Sequence, residues 1–174
     1  LRDAAADHGA PRDRRSMRAL IEEALAGVDL PLRTASLYPH QLSGGMKQRV
    51  CIAIGMLLRP QLIIADEPTS ALDVVTQRQV MATLGRRQAE TGSCLILIGH
   101  DMGLMAQFVD RLAVMYAGRI VERGPAEAVF SRPCHPYTAG LIAAIPVPGR
   151  TPRGSKLPAI PGRVPGLIGA FAGC

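Results

Sequence analysis

Leu62-Ile63-Ile64-Ala65-Asp66-Glu67-Pro68 is a short, unbroken apolar run that ends in two adjacent carboxylates. Such a run reads as a buried strand of a parallel sheet. In an open α/β sheet, ligands bind beyond the carboxyl ends of the strands. Two carboxylates at such an end suit a nucleotide–Mg²⁺ site, one in the metal's ligand shell and one orienting a water. The competing reading is a strand-to-loop turn with two solvated acids, and the pair alone does not decide.

Downstream, Asp73 is placed to cap a helix that runs to a stop at Gly92. Cys94-Leu95-Ile96-Leu97-Ile98 then reads as a second buried strand, ending in Gly99-His100-Asp101. His100 should therefore arrive at the same sheet edge as Asp66 and Glu67, where it can donate to a phosphate oxygen. A lone His is more often a loop or core residue, but its place after a buried strand favours the functional reading. A short helix is expected around Leu104 to Val109. A hairpin follows, Leu112 to Tyr116 and Arg119 to Glu122, turning at Ala117-Gly118. Strands alternating with helices imply an α/β fold with a parallel sheet, to which the hairpin adds an antiparallel edge.

Upstream, Leu42-Ser43-Gly44-Gly45 leads into a helix over about Met46 to Leu58, stopped by Arg59-Pro60. A helix start offers unpaired N–H groups and partial positive charge, and two glycines admit close approach of a phosphate. The plain alternative is a Ser-Gly-Gly turn with Ser43 as the cap. Earlier still, Ser16 is placed to cap a helix with apolar positions Met17, Leu20, Ile21, Ala24, Leu25 and Val28. Residues 29–42, with Pro31 and Pro39, read as loop. The Pro- and Gly-rich stretch 146–169 reads as an extended arm.

Hydrophobic residues make up 48% of the 174-residue chain, enough for a packed core. With aromatics at 3%, Leu, Ile, Val, Ala and Met must build it, and stacking platforms for single-stranded nucleic acid are nearly absent. The net charge of +6 is compatible with phosphate ligands, anionic membrane surfaces or a merely soluble basic surface. Cys51 and Cys94 lie in apolar runs and read as small core residues. No Cys-x-x-Cys pair or disulfide framework is visible, which points to a reducing compartment. No apolar run reaches the roughly 20 residues needed to span a bilayer. Leu1-Arg2-Asp3-Ala4 lacks an initiator Met and a secretory pattern, and reads as the middle of a longer chain.

Taken together these segments are far more specific than any one alone. Leu42-Ser43-Gly44-Gly45-Met46-Lys47-Gln48-Arg49 resembles the signature motif of ATP-binding cassette ATPases, and Leu62 to Thr69 resembles their Walker B strand. Ser70-Ala71-Leu72-Asp73 resembles the D-loop, and Gly99-His100-Asp101 the switch histidine. Order and spacing match as well. Tyr38-Pro39-His40-Gln41, Val114 to Glu122, His135-Pro136-Tyr137-Thr138 and Leu157 to Gly162 resemble the oligopeptide/dipeptide importer branch, much of which nickel importers share.

The resemblance implies the C-terminal part of a cassette ATPase domain. A helical subdomain with the signature would cover 1–58, a partial ATPase core 59–130, and an importer-type C-terminal extension 131–174. It implies ATP and Mg²⁺ as ligands and two ATPase subunits, identical or related, closing head to tail. Ser43, Gly44 and Gly45 would contact the γ-phosphate held by the partner subunit, with Gln48 in the same nucleotide-binding set. Asp66 would support Mg²⁺ through its water shell. Glu67 would orient the attacking water and His100 would contact the γ-phosphate. Asp73 would lie at the dimer interface and couple the two sites. Transmembrane permease subunits, and through them a solute-binding protein, would be the further partners, at the cytoplasmic face of the membrane.

Two residues depart from the common pattern: Met46 stands where Gln is frequent, and Gly99 where Thr is usual before the histidine. No Gly-x-x-x-x-Gly-Lys-Ser/Thr phosphate loop occurs. Gly149 to Lys156 comes near, but it puts Ser before Lys and is flanked by prolines rather than by a strand and a helix. Cys174 could belong to a metal or iron–sulfur site, though a plain thiol is the simpler reading. Two other readings stand beside the importer ATPase: a non-catalytic dimerisation or docking module, and a cassette ATPase acting outside transport. The importer-like tail from His135 onward favours transport.

Overall fold

The computed structural model describes residues 1, 3, 13–146 and 158–162. Of the expected arm at 146–169, residues 158–162 are exposed and form neither helix nor strand. The remainder of that arm from 147 on, the near-miss loop at 149–156 and Cys174 lie outside the described residues. The chain divides into two compact units, Leu1–Gly99 and His100–Cys174.

In the first unit, α1 (Arg14–Ala26) is capped by Asp13, whose Oδ1 accepts the Ser16 N–H at 2.9 Å. Ser16, expected to be the cap, is instead the residue that is capped. Asp serves at least as well as Ser there, and the helix extends back to the earlier acceptor. The apolar stripe of α1 buries Met17, Ala24 and Leu25. They join Val28, Leu30, and Ala53 and Leu57 around α2 (Gly44–Met56) in one cluster. Between these helices the expected loop contains two 3₁₀ turns, Leu32–Ser36 and Pro39–Gln41.

β1 (Leu62–Asp66), α3 (Val74–Thr91) and β2 (Cys94–Ile98) form a strand–helix–strand unit. The strands pair in parallel, from Leu62 opposite Cys94 to Asp66 opposite Ile98. α3 begins at its Asp73 cap, buries Val80, Met81, Thr83 and Leu84, and ends at Gly92 in the left-handed conformation, φ +66°. Ser93 then locks the base of the strands: its buried hydroxyl donates to the Pro60 carbonyl at 2.5 Å.

Burial of the strands differs from expectation. Leu62, Ile64 and Asp66 share one exposed face with Cys94, Ile96 and Ile98, and Ile64 is 62% exposed. An apolar run reports a strand suited to cover on both faces, whereas the described residues cover only one. For the same reason Cys94 is not a core residue. Cys51 is exposed too, because it lies on the outer side of α2.

In the second unit, α4 (Met102–Phe108) precedes the hairpin of β3 (Arg111–Tyr116) and β4 (Arg119–Pro125). Its two-residue turn holds Ala117 at φ +48° and Gly118 at φ +78°, the left-handed pair that matches strand twist. A bulge interrupts the register between Val114 and Met115. The hairpin was expected to edge the parallel sheet. Instead it forms a separate two-stranded sheet and is packed by α5 (Ala126–Ser131), which buries Ala126 and Val129.

α6 (Pro136–Ala143) is tied to the hairpin through Glu122. The Glu122 carboxylate accepts the Cys134 N–H at 2.8 Å and the His135 N–H at 3.1 Å. His135 in turn caps α6, its Nδ1 accepting the Tyr137 N–H at 3.1 Å, and Tyr137 packs on Tyr116 with ring centroids 4.7 Å apart. The Cys134 N–H above all, with His135 adding, holds the Glu122 carboxyl below the usual carboxylate range.

Two expectations follow from this packing. Leu25 is 1% exposed, so Leu25→Ala should cost about 2–5 kcal/mol, measured as a lower unfolding midpoint in urea. The second concerns acid. Because Glu122 has a depressed folded pKa, its contribution is present above the unfolded carboxylate range and is lost as pH falls through the folded value. As pH falls below the unfolded carboxylate range and through that lower folded value, the Cys134 and His135 amides should lose protection against hydrogen exchange, measured relative to their intrinsic rates at each pH. In Glu122→Gln they should exchange faster already at neutral pH, with that acid step gone.

Candidate functional site

Two stretches of the first unit carry the candidate chemistry. The first is the start of α2. Ser43 is its N-cap, with Oγ accepting the Met46 N–H at 3.3 Å, and the Ser43 carbonyl takes the Lys47 N–H at 2.9 Å. Ser43 and Gly44 are exposed, and Gly45 and Gln48 are half-buried. The helix therefore presents its first N–H groups and a hydroxyl to solvent, the arrangement that favours an anion. The preceding 3₁₀ turn carries its own local contacts. The Tyr38 N–H donates to Gln41 Oε1 at 2.8 Å, and the Tyr38 and His40 rings stack at 5.7 Å.

The second stretch is the carboxyl end of β1. Asp66 is the last strand residue and is exposed. Glu67 is half-buried and sits in the left-handed region, φ +47°. Its N–H donates to the Ile98 carbonyl at 3.0 Å, and its carbonyl accepts the Ser70 N–H at 3.1 Å. A non-glycine residue held there costs on the order of 1–3 kcal/mol and persists only where its surroundings over-determine it. Neither the apolar run nor the acidic pair signals this backbone state.

The turn from Glu67 leads to Asp73, which brings the two stretches together. Asp73 Oδ1 accepts the Val75 and Thr76 N–H groups, each at 3.0 Å, and Oδ2 accepts the Thr76 hydroxyl at 2.6 Å. The Thr76 hydroxyl chiefly, then its N–H, hold the Asp73 carboxyl below its ordinary value. Thr76 and Leu72 lie against the start of α2: a Cβ on Gly45 would fall 2.5 Å from Thr76 Cγ2, and one on Gly44 3.0 Å from Leu72 Cδ2. Ser43 to Gly45 and Asp73 are thus neighbours through Thr76, a residue the sequence does not single out. His100 follows β2 by two residues in the chain and is exposed, at the head of the second unit. Beside it Asp101 caps α4, accepting the Leu104 N–H at 2.9 Å.

For a divalent cation, the donor set fits Mg²⁺ better than a transition metal. Among the described residues no group of three or more His, Cys, Asp and Glu is placed to hold a metal. The Asp66 carboxylate is exposed and makes no hydrogen bond or ion pair among the described residues. Mg²⁺ takes one or two carboxylates together with waters and substrate phosphates, so a single hard oxygen donor suffices.

Two family models match the chain: ABC transporter over residues 3–70, and oligopeptide/dipeptide transporter, C-terminal region, over residues 121–174. A putative peptide import ATP-binding protein of Brucella ovis is 46% identical over 167 residues, covering 92% of this chain and 49% of that one. The oligopeptide transport ATP-binding protein OppD of Salmonella typhimurium is 48% identical over 138 residues, covering 79% of this chain and 41% of that one. Among solved structures, the ATP-binding cassette MJ0796, dimeric in a post-hydrolysis state with ADP and Pi, superposes with a TM-score of 0.61. It is 29% identical, over 71% of this chain and 53% of that one. CbiO1 of Clostridium perfringens, part of an ABC transporter complex, gives a TM-score of 0.64 at 28% identity, over 74% of this chain and 51% of that one. The chain spans about half the length of the curated relatives it matches. Residues 3–70 are thus of the ABC transporter kind, and the C-terminal region is of the oligopeptide/dipeptide transporter kind.

Proposed function

We propose, from these matches, that the chain is the signature-bearing part of an ATPase subunit that drives uptake of oligopeptides or dipeptides through a membrane permease. The observation that carries this reading is the α2 start, an open helix N-terminus held beside Asp73 and joined through one turn to Asp66-Glu67. The peptide-import names of the relatives and the C-terminal region match support peptides as the solute class.

In this reading two such subunits close around two ATP molecules. Ser43, Gly44 and Gly45 take the γ-phosphate of the nucleotide held by the other subunit, with Gln48 behind them on α2. Asp66 holds Mg²⁺ directly or through water, and the ion neutralises charge developing on the phosphates when bound. Glu67 orients the attacking water, and His100 donates to the γ-phosphate. Asp73 lies at the subunit contact. Phosphoryl transfer asks the protein for positioning and charge stabilisation rather than covalent help. A helix start and a carboxylate on an over-determined backbone supply both. No phosphate loop occurs within these 174 residues. The subunit works at the cytoplasmic face of the membrane, against transmembrane permease subunits that receive solute from a binding protein. Among the described residues no helix is long and apolar enough to cross a membrane.

Two measurements on the complete subunit test this. Glu67→Gln keeps shape and removes the water-orienting charge. It should lower ATP turnover by about 10²-fold or more while ATP binding is retained. Near-normal turnover removes Glu67 from that role. The second measurement pairs a subunit carrying Ser43→Arg with one whose phosphate loop is inactivated. Shared sites leave the mixed dimer one site with both lesions and one with neither, so activity should partly return. If a dimer forms and activity does not return, each subunit works alone and Ser43 is only a helix cap.

A further inference from the structure

Gly45 and Thr76 meet more closely than any helix pair needs for ordinary packing. A methyl group at Gly45 would lie 2.5 Å from Thr76 Cγ2, well inside van der Waals contact. Thr76 cannot swing aside freely. It is β-branched, so few χ1 rotamers are open to it in a helix. Its Oγ1 is held by Asp73 Oδ2 at 2.6 Å, and its N–H by Asp73 Oδ1 at 3.0 Å. Turning the methyl away from Gly45 would take the hydroxyl off Asp73.

The contact continues along both helices. One turn further, Arg49 Nη2 donates to Gln79 Oε1 at 2.9 Å. Arg49 lies four residues beyond Gly45 and Gln79 three beyond Thr76, so both pairs lie on one seam. At the near end Leu72 closes on Gly44, and the turn behind it is fixed by the Ser70 N–H on the Glu67 carbonyl and by Gln77 Nε2 on the Thr69 carbonyl, 3.3 Å.

We propose that Thr76 is a positioning residue that locks the Asp73 turn to the Ser43–Gly45 helix start, so that the two move as one body. Gly45 is then constrained by the Thr76 methyl on one side as well as by any ligand on the other. As far as nucleotide is concerned, the proposal rests on the reading in which that helix start meets a γ-phosphate. The packing itself does not depend on that reading.

A set of variants separates the two. In a helix free of the clash, Gly→Ala raises stability, because Ala has the higher helix propensity. Against Thr76 the sign should reverse: Gly45→Ala is expected to lower the Tm of the 174-residue chain by roughly 3–10 °C, the range of overpacking in a domain of this size. Adding Thr76→Ser removes Cγ2, keeps the hydroxyl on Asp73, and should restore at least half of the loss. Adding Thr76→Val keeps two methyl groups on Cβ, restricted at χ1 in a helix, and should restore less than Thr76→Ser does. If Gly45→Ala does not fold, the double variant with Thr76→Ser should. Unchanged or raised Tm in Gly45→Ala, a strictly additive Thr76→Ser, or a double variant that stays unfolded each overturns the proposal.

In the complete ATPase subunit, Thr76→Val alone should lower kcat about tenfold with little change in KM, because it unhooks the Asp73 turn from the residue that packs on the helix start, without touching nucleotide. Unchanged kcat with the Tm coupling intact makes Thr76 a plain packing residue and ends the positioning role. That result overturns only this proposal if Ser43→Arg and Glu67→Gln remain inactive. If those two also turn over normally, it is the ATPase reading that fails.

Discussion

Parallel pairing of β1 with β2 constrains the first unit more than any other interaction. Parallel strands cannot be joined by a tight turn, so the chain must cross over between them, here through α3. The crossover has to begin near the carboxyl end of β1, which places Asp73 and Thr76 a short turn away from Asp66 and Glu67. The Glu67 N–H on the Ile98 carbonyl extends the ladder one residue beyond the strand and fixes where that turn begins. From there α3 runs against α2, and the seam at Thr76–Gly45 and Gln79–Arg49 decides where the α2 N-terminus points. The acidic edge and the open helix end are thus linked by one continuous run of backbone and two short contacts.

The exposed face of the strand pair follows from the same topology. One face is half-buried, and Leu62, Ile64, Ile96 and Ile98 on the other are exposed. Their apolar character is that of a sheet buried on both faces, in a chain about half as long as its curated relatives. Asp66 shares that face at its carboxyl end. Whatever lies against the apolar rows must stop short of it or offer it a polar partner, since an unpaired carboxylate resists burial.

Local chemistry explains which features were legible in the sequence. The span of α3 could be read because Asp73 and Gly92 punctuate it with a side-chain acceptor and a left-handed stop. The hairpin could be read because Ala117-Gly118 supplies the turn it needs. The parallel strands were placed to within a residue, yet their burial was overestimated, since an apolar run encodes what the full fold covers. Ser16 reads as a cap because the first apolar position lies next to it, while the helix extends back to Asp13. The 3₁₀ turns at Leu32–Ser36 and Pro39–Gln41 leave no periodic signal, and the prolines that admit them also read as loop. Glu67 in the left-handed region was invisible because that state is imposed by Ile98 and Ser70, not by a glycine. Glu122 is similar: its hold on Cys134 and His135 spans residues that only the hairpin and α6 bring together.

The two signature glycines show why motif recognition alone underdescribes a site. Read as a motif, Gly44 and Gly45 are small so that a phosphate can come close. In the structure each is also small because a side chain already stands beside it, Leu72 at the first and Thr76 at the second. The same missing Cβ therefore serves two neighbours, and substitution would disturb both. A loss of activity on replacing either glycine cannot by itself be assigned to the ligand. It becomes assignable only when the protein-side neighbour is trimmed in parallel, because removing the Thr76 methyl relieves one clash and leaves the other in place.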